Sequence, residues 1–253
     1  MKLNQVYLKD NLELMKEIPD NYIDLIYCDI LYGTGRKFKD YQDLKADRKV
    51  IENHYIPRIK EMHRILKDTG SIYLQMDCRI NHWIRILMDD VFGYDNFRNE
   101  IVWCYNGGGV TDKNFNKKHD VIVLYAKTYK YIYNIQYQAY NDNSTKRLLN
   151  KHKGKDKSKK LDRGTPMVDW WINIKCIVNP ANKEYVDYKT QKPKALLERI
   201  IKASSNENDI VADFYMGSGT SMVVAKELKR KYIGCDISEK AVAITKKRLN
   251  AVT

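Results

Sequence analysis

The sequence predicts an α/β fold with a doubly wound, mainly parallel β-sheet and an inserted basic region. Short apolar runs alternate with amphipathic segments along most of the chain, which is the pattern of βαβ units. The apolar run 210–213 leads into a glycine turn, a helical segment and a second apolar run that ends at Asp236. Such a unit binds ligands at the carboxyl ends of its strands. At 253 residues, the chain is long enough for one large domain with a substantial core.

In the N-terminal half, strands and helices are predicted to alternate. Strands are expected where apolar runs are short and continuous, at residues 5–8, 22–28, 71–76, 100–105 and 119–125, with 129–135 as a further candidate. Helices are expected where apolar residues recur every three or four positions, at residues 10–18, 51–67 and 79–90. Asp10 is the predicted N-cap of the first helix, and Pro57 is expected near the start of the second or at a kink.

The C-terminal half predicts a similar alternation after an aromatic, strand-like segment at 168–174. Pro193 fits the first turn of a helix, because proline lacks an amide hydrogen that would be unpaired there. The strand 210–213, the glycine turn and a helix follow, and the next strand is expected at 232–236. Ser238 is the predicted N-cap of a last helix.

The composition is strongly basic. The chain carries 45 Lys and Arg against 32 Asp and Glu, a formal charge of +13. This balance indicates an anionic partner, with nucleic acid the leading candidate. Over half of the excess lies in residues 146–163, which hold nine basic residues and two aspartates. That segment is either a solvated, partly disordered loop or a loop or small subdomain that follows a phosphate backbone.

Cysteine and histidine usage bounds the chemistry further. The five cysteines are scattered without a Cys-x-x-Cys pair, which favours reduced core thiols in an intracellular protein. The histidines have no metal-ligand spacing, so no metal is expected. No apolar run reaches the ~20 residues of a membrane span, and no apolar signal segment begins the sequence. We therefore expect a cytoplasmic protein without membrane contact.

The glycine turn at 217–219 suits a nucleotide-like cofactor, because glycines let the backbone approach a ligand. Asp236 follows Asp213 by 23 positions, close to the ~20 expected for an acid that binds ribose hydroxyls. A dinucleotide site needs a third glycine, and residues 220–222 contain none. The turn therefore favours S-adenosylmethionine, which has no pyrophosphate, over NAD.

Three motifs resemble those of the amino-methylating DNA methyltransferases. Asp213-Phe-Tyr-Met-Gly-Ser-Gly-Thr220 is similar to the family's cofactor motif Asp-Pro-Phe-x-Gly-Ser-Gly-Thr, and Thr190-Gln-Lys-Pro193 matches the signature that precedes it. Asp29-Ile-Leu-Tyr32 resembles the catalytic tetrad Asp-Pro-Pro-Tyr. The tetrad comes first, the variable basic region next and the cofactor motif last. This is the permuted order of the β group of adenine-N6 and cytosine-N4 enzymes, and the resemblance spans residues 5–250.

The resemblance implies a Rossmann-like S-adenosylmethionine methyltransferase fold in a single domain over residues 1–253. Its catalytic half would be 1–135, its basic target-recognition insertion about 136–167 and its cofactor-binding half 168–253. The implied reaction moves a methyl group from S-adenosylmethionine to the exocyclic amine of a base that is flipped out of double-stranded DNA. Adenine N6 is the preferred target.

The resemblance assigns catalysis to Asp29, Ile30 and Tyr32. The Asp29 carboxylate and the Ile30 main-chain carbonyl would each accept one N–H of the amine, and Tyr32 would offer a face to the flipped base. Ile30 and Leu31 replace both prolines of the tetrad, so the stiffness that prolines give this loop is missing. Without the other motifs, Asp29 would simply cap a turn and Tyr32 would pack against the sheet edge.

Twelve residues are expected to bind the cofactor, with Asp236 on the ribose hydroxyls, Ile237 on the adenine ring, and Thr220 and Ser221 on the carboxylate. The expected set is Asp29, Lys192, Asp213, Phe214, Tyr215, Gly217, Ser218, Gly219, Thr220, Ser221, Asp236 and Ile237. His119-Asp120 is similar to a His-Glu pair of the family, and we expect a structural role for it.

Two basic regions are expected to contact the phosphates of DNA, the loop 36–49 and the insertion. The expected residues are Arg36, Lys37, Lys39, Lys146, Arg147, Lys151, Lys153, Lys159, Lys160 and Arg163. Alternatives remain open at this point: a cytosine-N4 enzyme, an RNA methyltransferase, an inactive subunit that binds cofactor and DNA, and a dehydrogenase. Pairing as a homodimer or with a cognate restriction enzyme is also open.

Overall fold

The computed structural model describes residues 1–37, 42–107, 110–151, 156–177 and 182–252. Its strands are β1 (Gln5–Leu8), β2 (Ile23–Asp29), β3 (Leu66–Met76), β4 (Phe97–Cys104), β5 (His119–Ala126), β6 (Tyr137–Gln138), β7 (Thr165–Pro166), β8 (Trp170–Trp171), β9 (Ile210–Asp213) and β10 (Lys231–Asp236). Its helices are α1 (Asn11–Lys16), α2 (Arg48–Ile65), α3 (Asn81–Phe92), α4 (Asp142–Lys151), α5 (Asp156–Arg163), α6 (Lys194–Ser204), α7 (Thr220–Glu227) and α8 (Glu239–Asn250).

Within the described residues, eight strands form one sheet in the order β1-β10-β9-β2-β3-β5-β4-β8. The first five strands in this order, from β1 to β3, are parallel to one another. Strand β5 is antiparallel to its two neighbours, β3 and β4. From β9 the chain continues to β10 on one side, while β2 and β3 extend the sheet on the other. The ends of β9 and β2 therefore border a topological switch point, where open α/β sheets bind ligands. The predicted mainly parallel fold is confirmed.

Strand β2 has helices on both of its faces. Ile26 and Cys28 belong to the apolar cluster formed with α1, α2 and α3. Leu25 and Tyr27 belong to a second cluster, formed with α6, α7 and α8. Because successive side chains point to opposite faces, a strand buried on both sides is mostly apolar, and the buried Asp24 of β2 is paired with Lys67. This burial fixes the position of Asp29 at the end of β2.

The structure has the two predicted N-caps, Asp10 and Ser238, whereas the starts of α6 and α2 differ from the prediction. The Asp10 side chain accepts hydrogen bonds at the start of α1, and Ser238 accepts one from the Ala241 amide at the start of α8. Pro193 is the N-cap of α6, one position before the first turn in which it was expected. Helix α2 begins earlier than expected, at Arg48, and Pro57 lies inside it.

The predicted strand at 129–135 is wrong. The Ile132 amide donates to the Thr69 carbonyl, and the Asn134 amide donates to the Ala203 carbonyl. These single bonds connect the segment to two different neighbours, so it forms no strand ladder.

Two further boundaries differ from expectation. Strand β3 begins at Leu66, inside the predicted helix, because Leu66 pairs with Ile23 of β2 before a shift in register. Of the aromatic segment 168–174, only β8 is a strand, and it pairs with Val102 and Trp103 of β4 at the sheet edge.

The basic insertion contains regular structure in its described part. Helices α4 and α5 lie between β6 and β7, and these two strands pair antiparallel to form a separate small sheet. The guanidinium of Arg163 lies 5.3 Å from the centre of the Tyr137 ring. The pairing joins the two ends of the segment that carries α4 and α5.

No helix among the described residues is both long enough and apolar enough to cross a membrane.

We expect Gly219→Ala to destabilise the fold. Gly219 has φ +72°, and a Cβ there would lie 2.7 Å from the Cβ of Thr245, too close for a rotamer change of that buried residue to relieve. Overpacking of this kind costs roughly 1–3 kcal/mol, added to about 1 kcal/mol for a left-handed alanine. Gly35→Ala is the matched control, because Gly35 has φ +65° and its nearest neighbour atom would be 3.6 Å away. Urea unfolding of both variants measures the difference, and equal losses would contradict the steric argument.

Candidate active site

Three acidic residues meet at one edge of the sheet because each ends a parallel strand. Asp29 ends β2, Asp213 ends β9 and Asp236 ends β10, and β9 lies between the other two strands. A cavity of about 220 Å³ lies at this edge. The order of the strands in the sheet, and not the order of the motifs in the sequence, brings these residues together.

The cavity collects nearly all residues that the sequence assigned to catalysis and cofactor binding. Those that line it are Asp29, Ile30, Tyr32, Lys192, Asp213, Phe214, Tyr215, Gly217, Ser218, Thr220, Ser221, Asp236 and Ile237. Gly219 does not line it, because its Cα faces Thr245 of α8. The role of Gly219 in the structure is to let the glycine turn pass this helix.

Asp213 binds residues on both sides of the glycine turn. Its carboxylate accepts hydrogen bonds from the Tyr215 amide, at 3.0 Å, and from the Ser221 hydroxyl. Burial raises the pKa of Asp213 to about 7, although both hydrogen bonds lower it, and the nearby carboxylates of Asp29 and Asp236 raise it further. Because the Ser221 hydroxyl donates its hydrogen to Asp213, this hydroxyl has no hydrogen left to donate to a cofactor.

Asp236 holds the second part of the turn. One of its oxygens accepts from the Gly217 amide and the other from the Ser238 amide, both at 2.9 Å. Gly217 has φ +50°, and a Cβ there would lie 3.2 Å from the Tyr188 ring. Glycine at this position therefore leaves space in the cavity beside an acidic residue. Ile237, which follows Asp236, is 65% exposed.

Asp29 forms the centre of the catalytic half of the cavity. Its Oδ2 accepts a hydrogen bond from the Nζ of Lys192 at 2.5 Å. Burial raises the pKa of Asp29 above its ordinary value, and the charge of Lys192 only partly offsets this effect. In the opposite direction, burial lowers the pKa of Lys192, but the charges of Asp29 and Asp120 raise it above its ordinary value. The two side chains therefore form a partly buried ion pair.

Asp120, for which the sequence suggested a structural role, does not line the cavity but contacts Tyr32, which does. Its Oδ2 lies 2.7 Å from the Tyr32 hydroxyl and accepts from the Gln75 amide at 2.8 Å. Its Oδ1 accepts from the Tyr105 hydroxyl at 2.8 Å. The Tyr32 hydroxyl also lies 2.7 Å from Oδ1 of Asp29. Asp120 on β5 is thus linked to Asp29 on β2 through one tyrosine.

The backbone after β2 is held in place although both tetrad prolines are absent. The Ile30 amide donates to the Gln75 carbonyl at 3.0 Å, and the Leu31 carbonyl accepts from the Tyr55 hydroxyl at 3.1 Å. Asp43, which is 4% exposed, accepts hydrogen bonds from the backbone amides of residues 33 and 34. These contacts supply the rigidity that the sequence suggested was missing.

A polar cluster on α1 and α2 lines the cavity and was not predicted from the sequence. Asn11 donates to the Phe214 carbonyl at 3.1 Å, and the guanidinium of Arg58 donates to the Asn11 side chain at 2.6 Å. The His54 ring contacts the Tyr215 hydroxyl at 3.0 Å. Burial, with a contribution from the charge of Arg58, lowers the pKa of His54 to about 4. Only the spacing of Arg58 and His54 on one side of α2 indicates this cluster in the sequence.

The residues expected to bind DNA lie outside the cavity. Arg36 and Lys37 are exposed on the loop that follows the tetrad. Lys146 and Arg147 are exposed on α4, and α5 carries a further three, Lys159, Lys160 and Arg163. Lys39 and Lys153 lie outside the described residues, and so does the side chain of Lys151.

The donors and acceptors around the cavity match a nucleoside-linked amino acid. An acid stands at the end of β10, and an apolar residue follows it. Helix α7 begins at the cavity, and a helix N-terminus favours a carboxylate. In the described part of the chain, no group of three or more His, Cys, Asp or Glu side chains is placed to hold a metal ion.

Comparison with known families and sequences gives one consistent result. The model of the family described as DNA methylase matches residues 23–247. The type II methyltransferase M.HpaI of Haemophilus parainfluenzae is 32% identical over 242 residues, which cover 95% of this chain and 72% of the relative. The DNA adenine methyltransferase YhdJ of Escherichia coli (strain K12) is 30% identical over 249 residues, with 96% and 82% covered.

Solved structures share the fold. The PvuII DNA methyltransferase, described as cytosine-N4-specific, superposes with a TM-score of 0.71 at 18% identity and covers 98% of this chain and 88% of its own. The complex of M1.HpyAVI with SAM superposes with a TM-score of 0.63 at 20% identity, with 97% and 98% covered. At these identities the likeness concerns the fold alone.

We expect Asp213→Asn to remove a pH dependence of stability. The carboxyl of Asp213 has a pKa of about 7 in the folded protein, against an ordinary value of 3.8. Between these two pH values, the folded protein therefore binds more protons than the unfolded protein does. The free energy of unfolding of the wild type therefore falls as pH rises through this window. Relative to that of wild type, the free energy of unfolding of Asp213→Asn should increase by on the order of 2 kcal/mol between about pH 5 and about pH 8.

Urea unfolding at both pH values measures this gain. Asp90→Asn, which neutralises an exposed carboxylate on α3, is the matched control and should show no comparable change. A difference in free energy of unfolding between Asp213→Asn and wild type that is the same at both pH values would contradict the raised pKa of Asp213.

Proposed function

The chain belongs to the DNA methylase family, and from this premise we propose that it transfers a methyl group from S-adenosylmethionine to N6 of adenine in DNA. The observation that carries the proposal is the meeting of Asp29 and the glycine turn in one cavity. The family inferred from the three motifs is confirmed by the match over residues 23–247. A dehydrogenase is thereby set aside.

Adenine is favoured over cytosine by a relative whose name states its target base. The relative named a DNA adenine methyltransferase is 30% identical over almost the whole chain. The cytosine-N4-specific enzyme is a neighbour in fold at 18% identity, which carries no argument about its substrate. Cytosine N4 is the second candidate, because the tetrad acts on an exocyclic amine in either base.

Residues of the C-terminal half would hold the cofactor, which supplies an electrophilic methyl group on a sulfonium when bound. Asp236 would accept hydrogen bonds from ribose hydroxyls, and Ile237 would pack on the adenine ring. Thr220 and the N-terminus of α7 would face the carboxylate. Because the Ser221 hydroxyl donates to Asp213, we assign any contact of Ser221 with the carboxylate to its main-chain amide. Gly217 would keep this space open.

Residues of the N-terminal half would act on the amine of the base. The lone pair of an exocyclic amine is delocalised into the ring, so the amine is a poor nucleophile until it becomes pyramidal. Asp29 would accept one N–H and the Ile30 carbonyl the other. Among the described residues, none donates a hydrogen bond to this carbonyl. Tyr32 would offer its ring to the base, which must leave the duplex to reach this depth.

Double-stranded DNA is the proposed partner. The exposed basic residues on the loop after the tetrad and on α4 and α5 would contact phosphates, which supply affinity but no sequence information. Similarity to type II methyltransferases supports a place beside a cognate restriction enzyme. A homodimer is an additional arrangement that solution size measurement would test.

We expect Asp29→Asn to abolish most of the methyl transfer while the fold persists. Removing a positioned proton acceptor typically lowers a rate by 10²–10⁴-fold. Purified protein is incubated with methyl-labelled S-adenosylmethionine and unmethylated DNA, and the labelled nucleoside is identified. N6-methyladenine supports the proposal, whereas N4-methylcytosine supports the second candidate. Asp90→Asn is the control for the loss of one charge and should transfer label at the wild-type rate.

A wild-type protein that binds cofactor but labels neither DNA nor RNA would contradict the proposed activity and favour an inactive subunit. Label found only in RNA would replace the proposed substrate.

We expect neutralising the basic residues of α4 to weaken DNA binding in a salt-dependent way. Each phosphate contact contributes about 0.9 to the slope of log affinity against log salt concentration. The double variant Lys146→Gln/Arg147→Gln should therefore reduce this slope by up to about 2. Lys246→Gln/Lys247→Gln, an adjacent exposed pair on α8, removes the same charge and should leave the slope unchanged. Equal effects of the two pairs would indicate a general charge effect and not a contact surface.

A further inference from the structure

The Tyr32 hydroxyl lies between a partly buried carboxylate, Asp29, and a buried one, Asp120. It is 2.7 Å from Oδ1 of Asp29 and 2.7 Å from Oδ2 of Asp120. A tyrosine hydroxyl has one hydrogen. It can therefore donate to only one of the two carboxylates at a time. The other carboxylate then faces the hydroxyl oxygen without a hydrogen between them.

The two carboxylates differ in their other contacts. Asp29 has a cation beside it, because Lys192 contacts its Oδ2 at 2.5 Å. Asp120 has neutral donors, the Gln75 amide on Oδ2 and the Tyr105 hydroxyl on Oδ1. Asp29 therefore has a cationic donor besides the Tyr32 hydroxyl, so it loses less than Asp120 would when the Tyr32 hydrogen turns to the other carboxylate.

Catalysis by Asp29 requires a free acceptor position. Its Oδ2 is engaged by Lys192, so the amine of the base would reach Oδ1, which is the oxygen that faces Tyr32. A carboxylate oxygen can accept two hydrogen bonds, so a Tyr32 hydrogen directed at Oδ1 takes one of its two positions and makes this oxygen a weaker acceptor for the amine N–H. A Tyr32 hydrogen directed at Asp120 leaves Oδ1 with its full acceptor strength.

We propose that Asp120 is a positioning residue that draws the hydrogen of the Tyr32 hydroxyl to itself and so leaves Oδ1 of Asp29 to accept the N–H of the target amine. The proposal rests on the proposed methyl transfer. It involves no covalent step and no change in the number of protons in the site. Asp120 acts through Tyr32 and does not itself contact the base.

The first test is Asp120→Asn, which keeps the shape of the side chain but makes it a weaker acceptor. Tyr32 should then donate to Asp29, and the rate of methyl transfer in a single turnover should fall roughly 10–100-fold, as expected when a hydrogen bond to a charged group is misplaced. Affinity for S-adenosylmethionine and for DNA should change less than about threefold, because Asp120 touches neither. Tyr105→Phe removes a hydroxyl from the other oxygen of Asp120 and is the matched control, with less than a twofold change expected.

The pH dependence of the rate gives a second measurement. The groups that face Asp29 are Lys192, Tyr32, Asp120 and Asp213, and the charge of Asp120 raises the pKa of Asp29. Loss of that charge in Asp120→Asn should move the acidic limb of the rate profile to lower pH. A residue that merely packed the sheet would lower activity without moving this limb.

The decisive test is the removal of the hydroxyl itself. Tyr32→Phe keeps the ring but abolishes the competition for Oδ1, so it should keep activity within about tenfold of wild type. In this background Asp120→Asn should have no further effect, and the double variant should be faster than Asp120→Asn alone. A double variant as slow as Asp120→Asn, or slower, would overturn the proposal.

Two outcomes separate this inference from the proposed function. If wild type transfers no methyl group, the proposed function fails before Asp120 is tested. If wild type is active and Asp120→Asn is equally fast, only the inference fails. Should Asp120→Asn not fold, Tyr32→Phe decides alone, because loss of all activity in this variant would place the essential hydrogen bond of the hydroxyl on Asp29.

Discussion

The partly buried ion pair between Asp29 and Lys192 is the interaction on which the site depends. Asp29, Asp213 and Asp236 end neighbouring strands, and Asp120 is linked to them through Tyr32. Carboxylates that are buried close together repel one another, and each loses solvation. Lys192 is placed against Asp29, at 2.5 Å, by the segment that leads into α6. The pair joins the two halves of the sequence and keeps a charged acceptor at the end of β2.

The contrast between Asp29 and Asp213 follows from this pairing. Burial raises the pKa of both carboxyls, but Asp213 is bound by an amide and a hydroxyl, which are neutral donors, and its pKa reaches about 7. A group that is easily neutralised is suited to hold a turn. A group that is paired with a lysine is suited to remain an acceptor for a substrate. The same residue type therefore serves different purposes at adjacent strand ends.

The sequence could predict the parts of the site that lie within a few residues of a strand end. The tetrad, the glycine turn and Asp236 are short motifs, and the parallel strands that carry them determine where they meet. The contributions of Asp43, Asn11 and Arg58 could not be predicted, because each depends on a contact with a distant or irregular segment. Single Asp, Asn and Arg residues in helices and loops are too common to indicate such contacts. The strand predicted at 129–135 failed for a related reason, because its backbone bonds go singly to two distant segments, at Thr69 and Ala203.

Contacts around the tetrad restrict its backbone, although both prolines of the family motif are replaced. Proline restricts the backbone by fixing φ, and Ile30 and Leu31 lack this restriction. Here, hydrogen bonds with the Gln75 carbonyl, the Tyr55 hydroxyl and the Asp43 carboxylate hold residues 30–34 in place. A loop that had lost its function would have no need of three independent supports that converge on four residues. The distribution of these contacts therefore argues for an active enzyme over an inactive cofactor-binding subunit, although the tetrad itself departs from its family.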